Sequence, residues 1–267
     1  MSQDYKESFT PFDIWEKFGI TSHQGGIRAT QQLAQHAQIA SGQIILEIGC
    51  GTGYTACQLA KDYHDHIVAL DLTPQVLQTA RDRATAQGVS SAIAFTQADV
   101  HNLPFPANIF DRVIVESVLV FCALKQAPAE IYRVLKPGGV LAANELSLLK
   151  PASEELLTLL QETIRLRALQ ESEWRGVFEN AGFVELSSAT HRLNLRGQFA
   201  DHIKIDGLRN YLTAVVRGIT DKTIRSTFFN RTMLKAARQF PPYIGYGLYV
   251  GKKPEQAASK RLRNQPQ

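Results

Sequence analysis

Two rhythms of apolar and polar positions run along the chain. Short apolar runs stand at Ile44–Ile48, Ile67–Leu70, Ala92–Thr96, Arg112–Val115 and Val140–Asn144. Their length and β-branched content read as strands covered on both faces. Helical periods lie between them, at Thr55–Tyr63, Pro74–Gln87 and Gln126–Leu135. Pro74 suits a first helical turn with Thr73 as its cap, and Gly88 suits the stop. Regular alternation of this kind predicts an α/β fold, a doubly wound and mostly parallel sheet with right-handed crossovers.

The pattern changes after Leu146. Ser153–Leu169 has the spacing of a long amphipathic helix, and Ser172 opens another that stops at Gly182. Phe183–Leu195 reads as a strand or two short ones. Tyr243–Val250 reads as a last strand, an edge element or the hairpin partner of Phe183–Leu195, which brings the expected sheet to seven strands. Residues 198–240 between them are helical and polar-rich, too long for a plain connection. They are expected to form a helical cap over the carboxyl edge of the sheet. Five segments result: an N-terminal aromatic segment (1–26) closing over the site, a core (27–197), the cap (198–240), the final core strand (241–253) and a basic tail (254–267) expected to be disordered.

Bulk properties narrow the class. At 267 residues with a 44% hydrophobic share, the chain can build one large core. The formal charge of +4 is local, since Lys252, Lys253, Lys260, Arg261 and Arg263 stand against Glu255 from Lys252 to Gln267, across the end of the last strand and the tail. A balanced body argues against a nucleic-acid partner, which asks for a basic face on the folded domain. The N-terminus lacks a signal-peptide layout and no apolar run is long enough for a membrane span. Cys50, Cys57 and Cys122 lack metal spacing and suit a reducing compartment, so no metal and a cytoplasmic location are expected. Oligomeric state is not legible.

The chemistry centres on Leu46-Glu47-Ile48-Gly49-Cys50-Gly51-Thr52-Gly53, a buried strand feeding a glycine-dense turn and a helix start. Such a turn lets a ligand lie against bare backbone. The spacing G-x-G-x-G, with Tyr54 where a third phosphate-binding glycine would fall, is not a clean pyrophosphate signature. Asp71 ends the second strand, where a carboxylate can accept from a ribose diol. Asp99 follows the third strand, placed for an exocyclic amine. Glu47 sits inside an apolar strand, a costly position for an unused charge. This acidic rim fits a nucleoside with a cationic group better than a pyrophosphate.

The Leu46–Gly53 run resembles the first motif of class I S-adenosylmethionine-dependent methyltransferases. Val68–Thr73 is similar to their second motif, Ala98–Phe105 with Phe110-Asp111 to the third, and Arg133–Gly139 to the turn before strand five. Within that family the chain most resembles the type-11 group, which includes quinone-biosynthesis methyltransferases. The resemblance implies a Rossmann-like core and S-adenosyl-L-methionine as cofactor. It implies that Gly49, Cys50, Gly51 and Gly53 bring backbone to that cofactor with Glu47 beneath. Asp71 would bind ribose hydroxyls and Leu72 would pack on adenine. Asp99 would meet the adenine amine, Val100 would donate from its backbone, and Glu116 and Ser117 would line the methionine side.

The reaction expected is in-line methyl transfer to an O-, N- or C-nucleophile on a small, partly apolar organic acceptor. Glu116-Ser117-Val118-Leu119 stands where an Asn/Asp-Pro-Pro-Tyr-like run would mark amino methylation of bases. His23 and Glu145 are the candidate bases. His23 is equally a local hydrogen-bonding residue at the cofactor's entrance, and Glu145 equally a solvated strand end. Tyr5, Trp15 and His23 are the candidate acceptor contacts. The alternatives are an RNA or protein methyltransferase anchored by the basic tail, and a cofactor-binding protein without catalysis.

Overall fold

The structure, a computed structural model, describes residues 24–63, 66–164, 166–222, 225 and 241–255. Five parallel strands form its centre: β1 (Ile44–Ile48), β2 (His66–Asp71), β3 (Ile93–Gln97), β4 (Phe110–Glu116) and β5 (Leu135–Leu148). Two-residue β6 (Leu169–Gln170) lies parallel to the end of β5, while β7 (Val184–Arg192) and β8 (Ile244–Lys252) run antiparallel. The order is β3-β2-β1-β4-β5-β8-β7, with β6 off this path.

Among the described residues seven α-helices surround the sheet: α1 (Gly26–His36), α2 (Tyr54–Tyr63), α3 (Pro74–Ala86), α4 (Ala127–Val134), α5 (Glu154–Ile164), α6 (Glu171–Asn180) and α7 (Leu195–Thr220). A central strand has both faces covered, which explains why β1 is almost wholly apolar. Its Ile45 packs with Leu33 of α1, Ala56 of α2 and Leu77 of α3. Leu46 and Ile48 belong to the opposite core, with Ile131 of α4 and Trp174 and Phe178 of α6. Full burial of each such side chain contributes about 1.5–3 kcal/mol. The chain is therefore wound on both faces, as the β–α alternation predicts.

The last strand is not an edge element. β8 lies between β5 and β7, pairing from Val140↔Lys252 to Leu148↔Ile244 on one side and from Val184↔Lys252 to Arg192↔Gly245 on the other. Its sequence explains the position. Tyr246, Leu248 and Tyr249 are buried, the two-sided apolar pattern of an inner strand. Gly247 supplies the space that the Tyr249 ring occupies, and the Tyr249 hydroxyl shares a hydrogen bond with Ser147 at 2.8 Å.

Two helix limits and one cap also differ from the sequence reading. α5 stops at Ile164, because Arg167 donates its N–H to Val120 O (3.0 Å) and Leu169 joins the sheet. α4 stops at Val134, and Leu135 already pairs with Phe110 ahead of a register shift. Thr73 holds the N-cap position of α3, but its side chain makes no capping bond; Asp71 Oδ1 takes the Thr73 N–H at 3.0 Å. Of the expected 198–240 insertion, α7 is described. Asn194 caps it by accepting from Gly197 N (3.0 Å), and Gly207 interrupts it with non-helical backbone. Residues 226–240, the 256–267 tail and the N-terminal residues 1–23 lie outside the described residues. Among the described residues no helix is long and apolar enough to cross a membrane.

Candidate active site

The strand order places β2 and β4 on either side of β1, so successive connections leave β1 in opposite directions. At such a switch point the carboxyl ends of neighbouring strands open a crevice. Gly49–Gly53 follows β1, Asp71 ends β2, Asp99 follows β3, and Glu116 ends β4. The four sequence-predicted clusters therefore meet on one edge.

The glycine turn is held from below. Gly49 N–H and Cys50 N–H both donate to Leu70 O, at 2.8 and 2.9 Å, and Gly53 N–H donates to Cys50 O at 2.8 Å. Gly51 N–H donates to Asp71 Oδ2 at 2.9 Å, so the acid of β2 also fixes the turn of β1. The three glycines have different reasons. Each has positive φ, but a Cβ on Gly49 would run into Val118 Cγ2 and one on Gly53 would lie 2.7 Å from Ala80 Cβ. At Gly51 the same direction opens on empty space. Cys50 is buried and its thiol is pushed well up by that burial, so it packs rather than reacts.

The acids differ in state. Burial, then the neighbouring Glu116 and Asp71 charges, raise the Glu47 carboxyl well above its ordinary range, against the Ala56 backbone N–H. Glu47 Oε2 is buried with no hydrogen-bond partner. Burial also raises Asp71, opposed by the N–H groups of Thr73, Gly51 and Leu72. For Asp99, burial is outweighed by the His101 backbone and side chain, which hold it below the usual carboxylate range. Leu72 is 50% exposed beside Asp71, an uncovered apolar surface next to a carboxylate. Val100 turns its side chain into the core behind Asp99.

Glu116 and Ser117 sit in a polar junction between β4, β5, α1 and α2. Glu116 accepts from Thr30 Oγ1 (3.0 and 3.1 Å), Thr55 Oγ1 (3.1 Å) and Asn144 Nδ2 (3.1 Å). Ser117 has φ +61; its N–H donates to Asn144 O at 2.7 Å, and its hydroxyl bonds Gln24 Oε1. Asn144 Nδ2 also donates to Gln24 O at 2.8 Å, while Asn144 Oδ1 is buried without a partner. Sequence reading passed over Gln24, Thr30, Thr55 and Asn144. The available signal was polarity at the end of an apolar strand (Asn144) and at helix positions facing it.

Glu145 does not stand where a base would. It is fully buried, and its carboxylate accepts the N–H groups of Val118 (3.2 Å), Leu119 (2.9 Å) and Val120 (3.2 Å). It braces the turn that covers Gly49, with Oε1 taking two of the N–H groups and Oε2 the third. β5 runs on to Leu148, so Glu145 lies inside the strand rather than at a solvated end. His23, Tyr5 and Trp15 lie outside the described residues. Among the described residues no group of three His, Cys, Asp or Glu side chains is arranged to hold a metal.

A second element reaches this edge. Asp201 of α7 accepts the Ile27 N–H of α1 at 3.1 Å, and Arg83 of α3 pairs with Asp206 of α7. Arg83 also donates to Ile205 O (3.2 Å) and to Thr52 Oγ1 (3.3 Å) in the glycine turn. α7 is thus tied to both the first helix and the turn.

These features suit a cationic nucleoside. The space at Gly51 admits a ligand against backbone, the unpartnered acceptors Glu47 Oε2 and Asn144 Oδ1 await donors, and the carboxylates favour positive charge. The comparisons agree. The profile of the family described as "Methyltransferase domain" matches residues 46–143. The methyltransferase YodH of Bacillus subtilis is 35% identical over 168 residues, 62% of this chain and 71% of that protein. Among solved structures, the [4+2]-cyclase SpnF superposes with a TM-score of 0.70 at 22% identity, over 91% of this chain and 92% of that one. A methyltransferase from Thiobacillus denitrificans, solved with S-adenosyl-L-homocysteine, superposes with a TM-score of 0.66 at 18% identity, over 90% and 96%. The chain belongs to the methyltransferase-domain family and is a class I S-adenosylmethionine-dependent methyltransferase.

Proposed function

We propose that this enzyme methylates a small, partly apolar organic acceptor. The observation that supports this best is α7. It is inserted between the adjacent strands β7 and β8 and is bonded to α1 through Asp201 and to α3 through Asp206. A helix fastened beside the cofactor edge narrows the approach, which suits a small molecule in a pocket rather than a polymer laid across an open face. A half-open cleft of about 260 Å³ beside the end of β5, lined by Leu148, Leu157 and Leu166 together with Gln161, Arg167 and Glu173, offers mixed apolar and polar surface at the same end of the sheet. The balanced charge of the body supports the same reading.

When bound, S-adenosylmethionine supplies a methyl group already activated by the sulfonium. Gly49, Cys50, Gly51 and Gly53 give it backbone to lie against, Asp71 holds the ribose hydroxyls, and Leu72 covers the adenine. Asp99 accepts from the adenine amine and Val100 donates from its backbone. Glu47, Glu116 and Ser117 with Asn144 form the methionine side. The chain's contribution is alignment and exclusion of water, which supplies on the order of 7–11 kcal/mol in well-oriented reactions. With Glu145 engaged in its turn, an acceptor that must lose a proton relies on His23 or on its own acidity.

The test is turnover of labelled S-adenosylmethionine against a panel of sterols, phenols, quinols and amines, with RNA and protein as controls. Release of S-adenosylhomocysteine with a small acceptor one methylene heavier is expected. Turnover confined to RNA or protein would replace this reading with an anchored-tail one. Binding without any turnover would leave a catalytically silent protein.

A further inference from the structure

We propose that His101 is a positioning residue for the cofactor's adenine, acting through Asp99; this rests on the reading that Asp99 accepts from the adenine amine. Asp99 is largely solvent-exposed, with 53% of its side chain accessible. An exposed aspartate ordinarily rotates freely and discriminates poorly between ligands. Here it is pinned at one oxygen. Asp99 Oδ1 takes the His101 backbone N–H at 2.9 Å and lies 2.7 Å from His101 Nδ1. Among the described residues Oδ2 accepts nothing, so one carboxylate oxygen stays available.

The far side of the ring defines the proton. Ala123 N–H donates to His101 Nε2 at 2.9 Å, so Nε2 is the acceptor of the neutral imidazole and Nδ1 bears the hydrogen. Nδ1–H therefore donates to Asp99, and this tautomer is set by a backbone group. The ring is a bridge between the adenine-side carboxylate and the loop that leads into α4. Gln126 Nε2 reinforces the bridge by donating to His101 O at 2.9 Å. Both ends of the ring are used, which leaves Asp99 a single orientation without burying it.

An exocyclic amine is a donor that only a fixed acceptor can read. The measurement is therefore a ratio: affinity for S-adenosylhomocysteine over affinity for its purine riboside analogue, in which hydrogen replaces the amine, by calorimetry. The native enzyme should favour the adenosyl ligand by about tenfold to a hundredfold, the range of one charge-assisted hydrogen bond. Asp99→Ala should bring the ratio close to one. His101→Ala should lower it in the same direction, with the analogue's affinity nearly unchanged. His101→Asn keeps a donor near the Nδ1 position and should restore most of the ratio. His101→Gln, which mimics only the Nε2 side, should not.

If Asp99→Ala leaves the ratio intact, the adenine reading of Asp99 fails. If Asp99→Ala abolishes it and His101→Ala does not move it, the reading stands and the role of His101 is overturned. Equal loss of both ligands in folded His101→Ala, judged by circular dichroism, would make the histidine merely structural and also overturns the proposal.

Discussion

A carboxylate with no exposed surface persists in a fold only when its oxygens are satisfied or its proton is kept. Glu145 uses both routes. Burial lifts its pKa from the ordinary 4.5 to about 8, although the N–H groups of Leu119, Val118 and Val120 pull it down. Since the folded value lies above the unfolded one, this group favours the folded state most at low pH. That contribution is lost as pH rises from the ordinary carboxylate range through about 8. Glu47 shifts in the same direction, so Glu145 accounts for part of the slope. Urea unfolding at pH steps should show the native enzyme losing more stability between about pH 5 and about pH 8 than Glu145→Gln does. Parallel curves would sink the burial account. The same residue shows where sequence reading stopped. An acid after an apolar strand is visible as unusual. Its partners at 118–120 come from the neighbouring strand's turn, and no local spacing points to them.

Between elements, the tie from α3 to α7 is the contact with most at stake. Arg83 and Asp206 are 14% and 3% exposed, and the guanidinium also reaches Ile205 O and Thr52 Oγ1. Removing one partner of a mostly buried pair leaves the other charge uncompensated, at a cost of about 3–5 kcal/mol in fully buried cases. Arg83→Ala should destabilise by about 2–4 kcal/mol, discounted for its partial exposure. Asp206→Ala should cost a similar amount, and the double variant far less than the sum. Additive costs in denaturant titrations would mean that the pair is not coupled. This tie was invisible in the sequence, because residues 83 and 206 come together only through tertiary packing. By contrast, β1 to β4, α2 and α3 were legible to within a residue or two. Their apolar periods are set locally, and Gly49 after β1, Asp71 and Glu116 at the ends of β2 and β4, and Thr73-Pro74 at the start of α3 mark their limits. Of the two readings of Tyr243–Val250, partner of the Phe183–Leu195 strand holds and edge element does not; the glycines of β8 admit neighbouring rings and backbone.

At the scale of the whole molecule, the proposed function puts the two halves of the reaction on separable parts. The proposed cofactor contacts, Gly49–Gly53, Asp71 and Asp99, all lie at or just beyond the carboxyl ends of β1, β2 and β3, at one end of the sheet. The segment holding α7 enters after β7 and returns at β8, where Arg192 and Gly245 are already paired neighbours. A short hairpin turn can join antiparallel strands that close, so the sheet does not need the insertion to stay connected. Replacing residues 194–243 by a four-residue turn removes the Asp201 acceptor from Ile27 N–H, a cap-like loss of about 1 kcal/mol. It also strands Arg83, which Arg83→Met in the same variant corrects. It takes away the exposed Leu208, Leu212, Val215, Val216 and Ile219 as well. This shortened enzyme should fold and bind S-adenosylhomocysteine within about tenfold of the parent, a difference of about 1.4 kcal/mol. It should not transfer methyl to the parent's acceptor, because the wall beside the pocket is gone. Circular dichroism, calorimetry and the turnover assay on one preparation separate the outcomes. Folded protein that loses the cofactor would place α7 in cofactor binding, and retained methyl transfer would take it out of the acceptor site.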